Sequence, residues 1–532
     1  MILQAIPSAL LAALLFSNPS AARLPRRETA TTGSETVVVT SIVTVDPVPL
    51  TTAPGVFWPG YASGSGTGSG YRSGTGRGCA RATGGSSYTG QFTSRNWTGR
   101  AKGSVPAYTK ATPKSSSTTA SSSSVPKTTS SSSANTTSTS IPFLRGVNLG
   151  GWLILEKWLN SDVFQGNFAN AADQWTFDSI SGAETALETH WETYLTEIDV
   201  QAIAATGMNA LRIPIGYWAY NNTNTPYVKG ADAYLEKAIG WARTAGMKVW
   251  VDCHGSPGSQ NGYDNSGHAT NVKWQQNDNL ARSISVLKTM ATKYGAAKYA
   301  DVVVGLELVN EPISWGNNDF STTQAWAKEA YSAVKAAAEN KNLVIVMHDG
   351  FMGPLSWTST AEELTSGREK TFGVDTHLYQ LYTDADNALT LQEHITEACG
   401  WGTNLSTSNA IMPTYVGEWS AAINICVDPD GTTTAGTTCS TYGCQCQSTS
   451  FDDWNDNMVA AVGKYVEAQL DTFEASTSGY FIWTAKGPGG WGYFNDIQKG
   501  VFPNPVTSRK HSPQCKSYSR RRDERGFLSE FS

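Results

Sequence analysis

Beyond its first residues the 532-residue sequence has no apolar run of about 18 residues, so no helical membrane span is expected there. It has no surplus of positive charge. Its 39 Lys and Arg face 45 Asp and Glu, a formal net charge of −6, and nothing marks it as a binder of nucleic acid or another polyanion. Metal-module spacing is missing as well. "CSTYGCQC" matches no zinc module, and His254, His348 and His377 lack the close helical spacing of a zincin. "SGSGTGSGYRSGTG" is rich in glycine, but no strand pattern precedes it and no helix pattern follows, which argues against a phosphate loop. Neither a metal nor a cofactor is expected.

What is present divides the chain into four parts. Residues 1–22 hold a short apolar core ending near Phe16, then Ser20, Ala21 and Ala22. That is the pattern of a secretory signal peptide, although Lys and Arg are missing before the core. Arg26 and Arg27 fit either a dibasic processing site or two surface arginines. Residues 23–140 are rich in Ser, Thr and Gly, and "PKSSSTTASSSSVPKTTSSSSANTTSTS" cannot bury enough apolar surface to order itself. A disordered, O-glycosylated stalk or linker is expected. Residues 141–515 have globular texture, and 516–532 form a tail. Asn96, Asn135, Asn221 and Asn404 head N-glycosylation sequons.

Eight cysteines suit an oxidising compartment. Cys399 is expected to pair with Cys515, tying the chain's end back to the globular part. Cys426 is expected to pair within the loop holding Cys439, Cys444 and Cys446. Cys79 and Cys253 are left over. The expected location is secreted and extracellular, with the stalk as a means of holding the protein at a cell wall.

In the globular part short apolar strands alternate with helical patterns. Eight strand candidates are "FLRGVNLGG", "ALRIPIGYW", "KVWVDCHG", "VVVGLELVNEP", "LVIVMHDG", "FGVDTHLYQ", "TYVGEWS" and "GYFIWTAK". Between them lie apolar stripes at helical spacing: Leu195, Ile198, Ala202 and Ile203; Leu235, Ala238, Ile239 and Ala242; and Ala327, Ala330, Tyr331 and Val334. This alternation predicts an α/β fold, a (β/α)8 TIM barrel with insertions; a doubly wound open sheet is the alternative. Barrel enzymes carry their sites at the C-terminal strand ends. Those ends read Arg212, His254, Asn310 with Glu311, His348, His377 with Tyr379, Glu418, and Trp483. One polar residue closing a strand is a loop cap; seven of eight is a site. Glu311 and Glu418 supply the two carboxylates of a glycosidase, and 18 Trp include rings able to stack on sugars.

The domain resembles glycoside hydrolase family 5, and within it the fungal exo-β-1,3-glucanases. "LRGVNLGGWLILEKW", "RIPIGYWA", "HGSPGSQNGYDNSG", "GLELVNEP", "HLYQ", "VGEWS" and "YFIWTAK" follow in that group's order over about residues 141 to 515. The resemblance implies a retaining hydrolase that releases glucose from chain ends of β-1,3-glucan. Glu311 would be the acid/base and Glu418 the nucleophile, supported by Arg212. His254 and Asn310 would bind sugar hydroxyls. His377 and Tyr379 would line the site, Trp483 would floor it, and Glu156 would hold the terminal glucose. Tyr263 and Asn265 would meet substrate near the entrance. The acid's pKa is expected to be raised by burial and by the neighbouring carboxylate, while the nucleophile stays ionised.

Tyr263 stands where the group often has Phe, Ala485 where it commonly has Trp, and "GPGGWGY" replaces a more acidic loop. These differences bear on the leaving-group subsites and linkage preference. A monomer acting on glucan is expected. An endo-acting or β-1,6-specific glucanase, or a non-catalytic glucan-binding wall protein, are the alternatives.

Overall fold

The computed structural model describes residues 141–365, 370–511 and 513–515. The expected signal peptide, the stalk, Arg26 and Arg27, Cys79, the sequons at Asn96 and Asn135, and the tail after Cys515 lie outside the described residues.

Seven strands come first: β1 (Leu144–Asn148), β2 (Ala210–Gly216), β3 (Lys248–Gly255), β4 (Val303–Glu307), β5 (Val344–His348), β6 (Phe372–His377) and β7 (Thr414–Glu418). Three short strands follow, β8 (Ile425–Val427), β9 (Thr433–Ala435) and β10 (Gln445–Cys446), and then β11 (Gly479–Ile482). The long set closes in the order β1-β11-β7-β6-β5-β4-β3-β2. Closure is made by β1, parallel to β11 through Leu144↔Gly479 and to β2 through Gly146↔Ala210. This is the expected (β/α)8 barrel, and its closure excludes the open sheet. Strands covered on both faces read as apolar runs, which is why all eight were visible.

Helices pack outside. Ala231–Thr244 buries Leu235, Ala238, Ile239 and Ala242, and Phe320–Ala337 buries Ala327, Ala330, Tyr331 and Val334, as their stripes predict. The remaining stripe needs correction. Its helix is Glu197–Ala205; Leu195 lies before it, Ile198 is 76% exposed, and Val200 and Ile203 face inward. The capping box between Thr196 and Asp199 fixes the first turn, and with it the helix's phase.

The barrel floor is a packed plug of Leu144, Ala210, Trp250, Val304, Val344, Val346, Tyr415 and Phe481. The Trp250 ring stands edge-on to Tyr415 (5.0 Å) and Phe481 (4.9 Å). Phe481 lies so close to β1 that a Cβ at Gly146 would sit 2.0 Å from its ring. With the bottom filled, the C-terminal strand ends supply the concave surface.

The segment after β7 was expected to be a loop. It forms a small antiparallel sheet in the order β10-β8-β9, laced by Cys426–Cys446 and Cys439–Cys444. Cys399 pairs with Cys515, as expected. Cys253 is a free thiol buried in β3, pushed up to about 12 by burial, which makes it a poor nucleophile.

Candidate active site

Arg212 is the lowest of the site residues. It was expected at a strand end but lies mid-strand in β2, fully buried inside the barrel. Its Nη2 is 3.1 Å from Asp252 Oδ2, 2.8 Å from Glu307 Oε2 and 4.0 Å from Asp375 Oδ2. Nε donates to Glu307 Oε2 and Nη1 to Asn148 Oδ1. Burial would raise Asp252, but Arg212 and His254 hold it below the usual carboxylate range. Burial lifts Glu307 well above that range despite Arg212. Reading strand ends missed these three acids. A signal existed: Asp252 and Asp375 stand two residues before His254 and His377, on the same face of their strands. Beside them Gly417 is obligatory, because a Cβ there would lie 1.9 Å from Asp375 Oδ2.

Above this charged layer stand the two carboxylates. Glu418 ends β7. Glu311 lies beyond the end of β4, in the left-handed region at φ 45°, which a non-glycine residue rarely occupies. Gln260 pins the turn: its Nε2 donates to the carbonyls of His254 (2.7 Å) and Asn310 (2.9 Å).

His377, at the end of β6, spans the pair. Its Nδ1 is 2.8 Å from Glu311 Oε1 and 3.5 Å from Glu418 Oε2, and its Nε2 is 3.1 Å from Asp375 Oδ2. Those Glu311 and Glu418 oxygens are therefore no further apart than the two contacts laid end to end. The two carboxylates therefore face one imidazole nitrogen from either side.

The other expected residues converge here. Arg212 Nη1 donates to Glu418 Oε1 (3.0 Å) and Tyr379 Oη to Glu418 Oε2 (2.9 Å). Asn265 Nδ2 donates to Glu311 Oε2 (2.9 Å). Asn310 Oδ1 accepts from Arg212 Nη2 (2.8 Å), and its Nδ2 is 3.5 Å from His254 Nε2. His254 Nδ1 is 2.6 Å from Asp252, and its ring stacks at 5.6 Å on Trp483.

The protonation order differs from the expected one. Burial raises Glu418 above its ordinary value, and the Glu311 charge adds to this; His377 and Arg212 oppose without cancelling it. Burial acts on Glu311 too, but the hydrogen bond and charge of His377, with His254 and Asn265, bring it below the usual value. Burial opposes charge on His377, yet Glu418, Asp375 and Glu311 hold it well above the ordinary imidazole range. The physical reason lies at one atom: His377 Nδ1 stands closer to Glu311 Oε1 than to Glu418 Oε2, so its hydrogen bond favours the ionised form of Glu311.

One end of the site is walled. Glu156, in the loop after β1, is buried; its Oε2 accepts from Trp158 Nε1 (2.9 Å), and its Oε1 has no protein partner among the described residues. Burial and Asp264, with Glu418 and Glu311 behind them, raise it well above the usual range. Trp158 meets Trp491 edge-on at 5.3 Å, and Trp491 meets Tyr379 (5.5 Å) and Tyr382 (6.4 Å). Trp158, Tyr382 and Trp491 went unread as site residues, although Trp158 and Trp491 stand inside quoted motifs and Tyr382 lies two residues past one. Tyr263 is half-buried, with its hydroxyl pushed up to about 12 by burial and by Glu311.

Two acid–histidine triples here, Glu311 with His348 and His377, and Glu307 with Asp375 and His377, have ligand atoms within 4.8 Å of one another. Both ring nitrogens of His377 already face carboxylates, and Arg212 occupies Glu307. A third cluster, Cys426, Cys439 and Cys446, is oxidised to disulfides. Among the described residues no helix is long and apolar enough to cross a membrane.

Comparison with known proteins agrees with this geometry. Residues 170–483 match the family described as Cellulase (glycosyl hydrolase family 5). The chain is 37% identical over 387 residues to Glucan 1,3-beta-glucosidase 1 of Schizosaccharomyces pombe, covering 70% of this chain and 90% of that protein. It is 35% identical over 399 residues to Glucan 1,3-beta-glucosidase 2 of Wickerhamomyces anomalus, with the same coverage. Among solved structures, a rutinosidase from Aspergillus niger shares the fold with a TM-score of 0.54 at 23% identity, covering 67% of this chain and 97% of that one. A closed parallel barrel with paired carboxylates at its mouth, and relatives matched over nine-tenths of their length, lead to one assignment: the chain belongs to glycosyl hydrolase family 5.

Proposed function

We propose that the protein is a retaining glycosidase that releases glucose from the ends of β-1,3-glucan chains. The observation that carries this reading is His377 Nδ1 reaching both Glu311 and Glu418, a spacing that suits direct attack by one carboxylate. Glu418 attacks the anomeric carbon while the bond to the leaving oxygen breaks. The proton for that oxygen comes through Glu311 from the His377–Glu311 pair. In the second half Glu311 takes a proton from water, the water oxygen bonds to the anomeric carbon, and Glu418 leaves as a carboxylate. Arg212 and Tyr379 steady its charge. Trp483 and His254 offer the floor, and Asn310 and Glu156 offer partners for sugar hydroxyls.

The linkage and the exo action are carried over from the named activity of the relatives. The wall of Trp158, Trp491 and Tyr379 supports the exo action, since a walled end admits a chain terminus and blocks a through-running chain. Residues 141–515 are proposed as the catalytic domain, 1–22 as a secretory signal and 23–140 as a stalk that holds the secreted enzyme near its substrate.

The test is proton NMR of the first products from laminaritetraose. Expected are β-glucose and laminaritriose. Initial α-glucose would overturn retention, laminaribiose as the first product would indicate endo action, and binding without cleavage would leave a glucan-binding protein.

A further inference from the structure

Among the described residues Ile198, Trp315, Met352 and Tyr442 are the large apolar side chains left exposed. Two of them, Trp315 at 39% and Met352 at 42%, lie on the adjoining loops that follow β4 and β5. Trp315 comes just past Glu311 in the chain. Its loop is braced from both sides. Ser314 Oγ donates to Gly350 O (2.7 Å); the Ile313 N–H (3.3 Å) and Asn318 Nδ2 (2.8 Å) donate to Gln260 O; Asn317 Nδ2 donates to Val272 O (3.1 Å). An indole on so fixed a loop has little freedom left to lose on binding.

The ring of Trp315 tilts against Phe351 at 5.6 Å. Phe351 holds φ 61°, a conformation that a bulky residue rarely adopts and that concentrates where function demands it. Phe351 meets His348 at 5.1 Å, and His348 meets His377 at 4.4 Å. A line of ring contacts therefore runs from the exposed indole to the residue bonded to Glu311. In the barrel order β4 and β5 lie across the mouth from β1 and β11, whose loops carry Trp158 and Trp491 of the wall. Trp315 thus lies on a loop across the mouth from that wall.

We propose that Trp315, backed by Phe351, is a leaving-group subsite that stacks on a glucosyl unit beyond the scissile bond. This rests on the glucanase reading above. It makes Trp315 a determinant of preference for longer chains, since a substrate without a sugar leaving group cannot use it.

The experiment compares full-length wild type, Trp315→Ala and Trp315→Phe on laminaritetraose and on β-glucosyl fluoride, whose leaving group is a single atom. The ratio of the two kcat/KM values should fall by about tenfold in Trp315→Ala and recover at least half-way in Trp315→Phe, because a ring can stack where a methyl cannot. An unchanged ratio in Trp315→Ala, whether or not both rates fall together, would overturn the subsite alone. Wild-type protein that releases glucose from neither substrate would overturn the activity reading and the subsite with it.

Discussion

Replacing Tyr379 by Phe removes one atom whose bond is known. The hydroxyl donates to Glu418 Oε2 at 2.9 Å, and a hydrogen bond to a charged group contributes about 1.5–3 kcal/mol. The ring keeps its neighbours Tyr382 and Trp491, both at 5.5 Å, so the fold should be unaffected. Loss of a donor to the carboxylate disfavours the ionised form. At 1.36 kcal/mol per pKa unit the Glu418 pKa should rise by roughly one to two units. It already stands above its ordinary value. Glu418 must be ionised to attack, so activity is lost as pH falls through its pKa, and a higher pKa moves that loss to higher pH. The acid limb of kcat/KM on β-glucosyl fluoride, followed across roughly pH 3–8, should therefore shift up by roughly one to two pH units. The plateau, where Glu418 is ionised in both proteins, should change less. A limb that stays in place would refute any action of Tyr379 on Glu418. A shift confined to the basic limb would mean that the roles of the two carboxylates are exchanged.

Glu311→Ala and Glu418→Ala should each lower turnover by roughly a hundredfold to ten-thousandfold. Azide should rescue Glu418→Ala as the α-glucosyl azide and Glu311→Ala as the β-anomer; the opposite anomers would overturn the assignment. Changing both Cys399 and Cys515, 116 residues apart, to Ser should cost about 4.8 kcal/mol in the chain-entropy account, read from urea unfolding. A loss under about 1 kcal/mol would show that the end of the chain is held by packing instead. A chain beginning at Ser138 should hydrolyse a soluble laminari-trisaccharide as the full chain does, and a loss beyond about tenfold, ~1.4 kcal/mol, would place part of the stalk in the site.

The barrel was legible because its strands are buried on both faces and end in polar residues, two signals that coincide at His254, His377 and Glu418. Asp252 and Asp375 sit deeper, inside their strands, where a charge looks like a break in the apolar run rather than part of a site. The β8–β10 sheet was illegible for a different reason. "ICVDPDGTTTAGTTC" has no sustained alternation, and its order is supported by cross-links. Ile198 was misplaced because helical spacing alone does not say where a helix starts; Thr196 does. The protonation order could not be read from residue types at all, since it depends on which oxygen lies nearest to His377 Nδ1.

The charged layer under the mouth has a kinetic meaning. In the proposed cycle Glu418 alternates between anion and ester, and in water each change would require solvent dipoles to turn. Here the groups facing it are Arg212, Tyr379 and His377, and Arg212 is clamped from below by Asp252, Glu307 and Asn148. Such fixed partners cannot swing to follow the charge, so little reorganisation accompanies either step. The clamp lies within the strands, while Trp315, Tyr263 and Trp491 lie on loops. Sequence drift or engineering in those loops could change which sugars are accepted and leave the environment of the reacting carboxylate as it is.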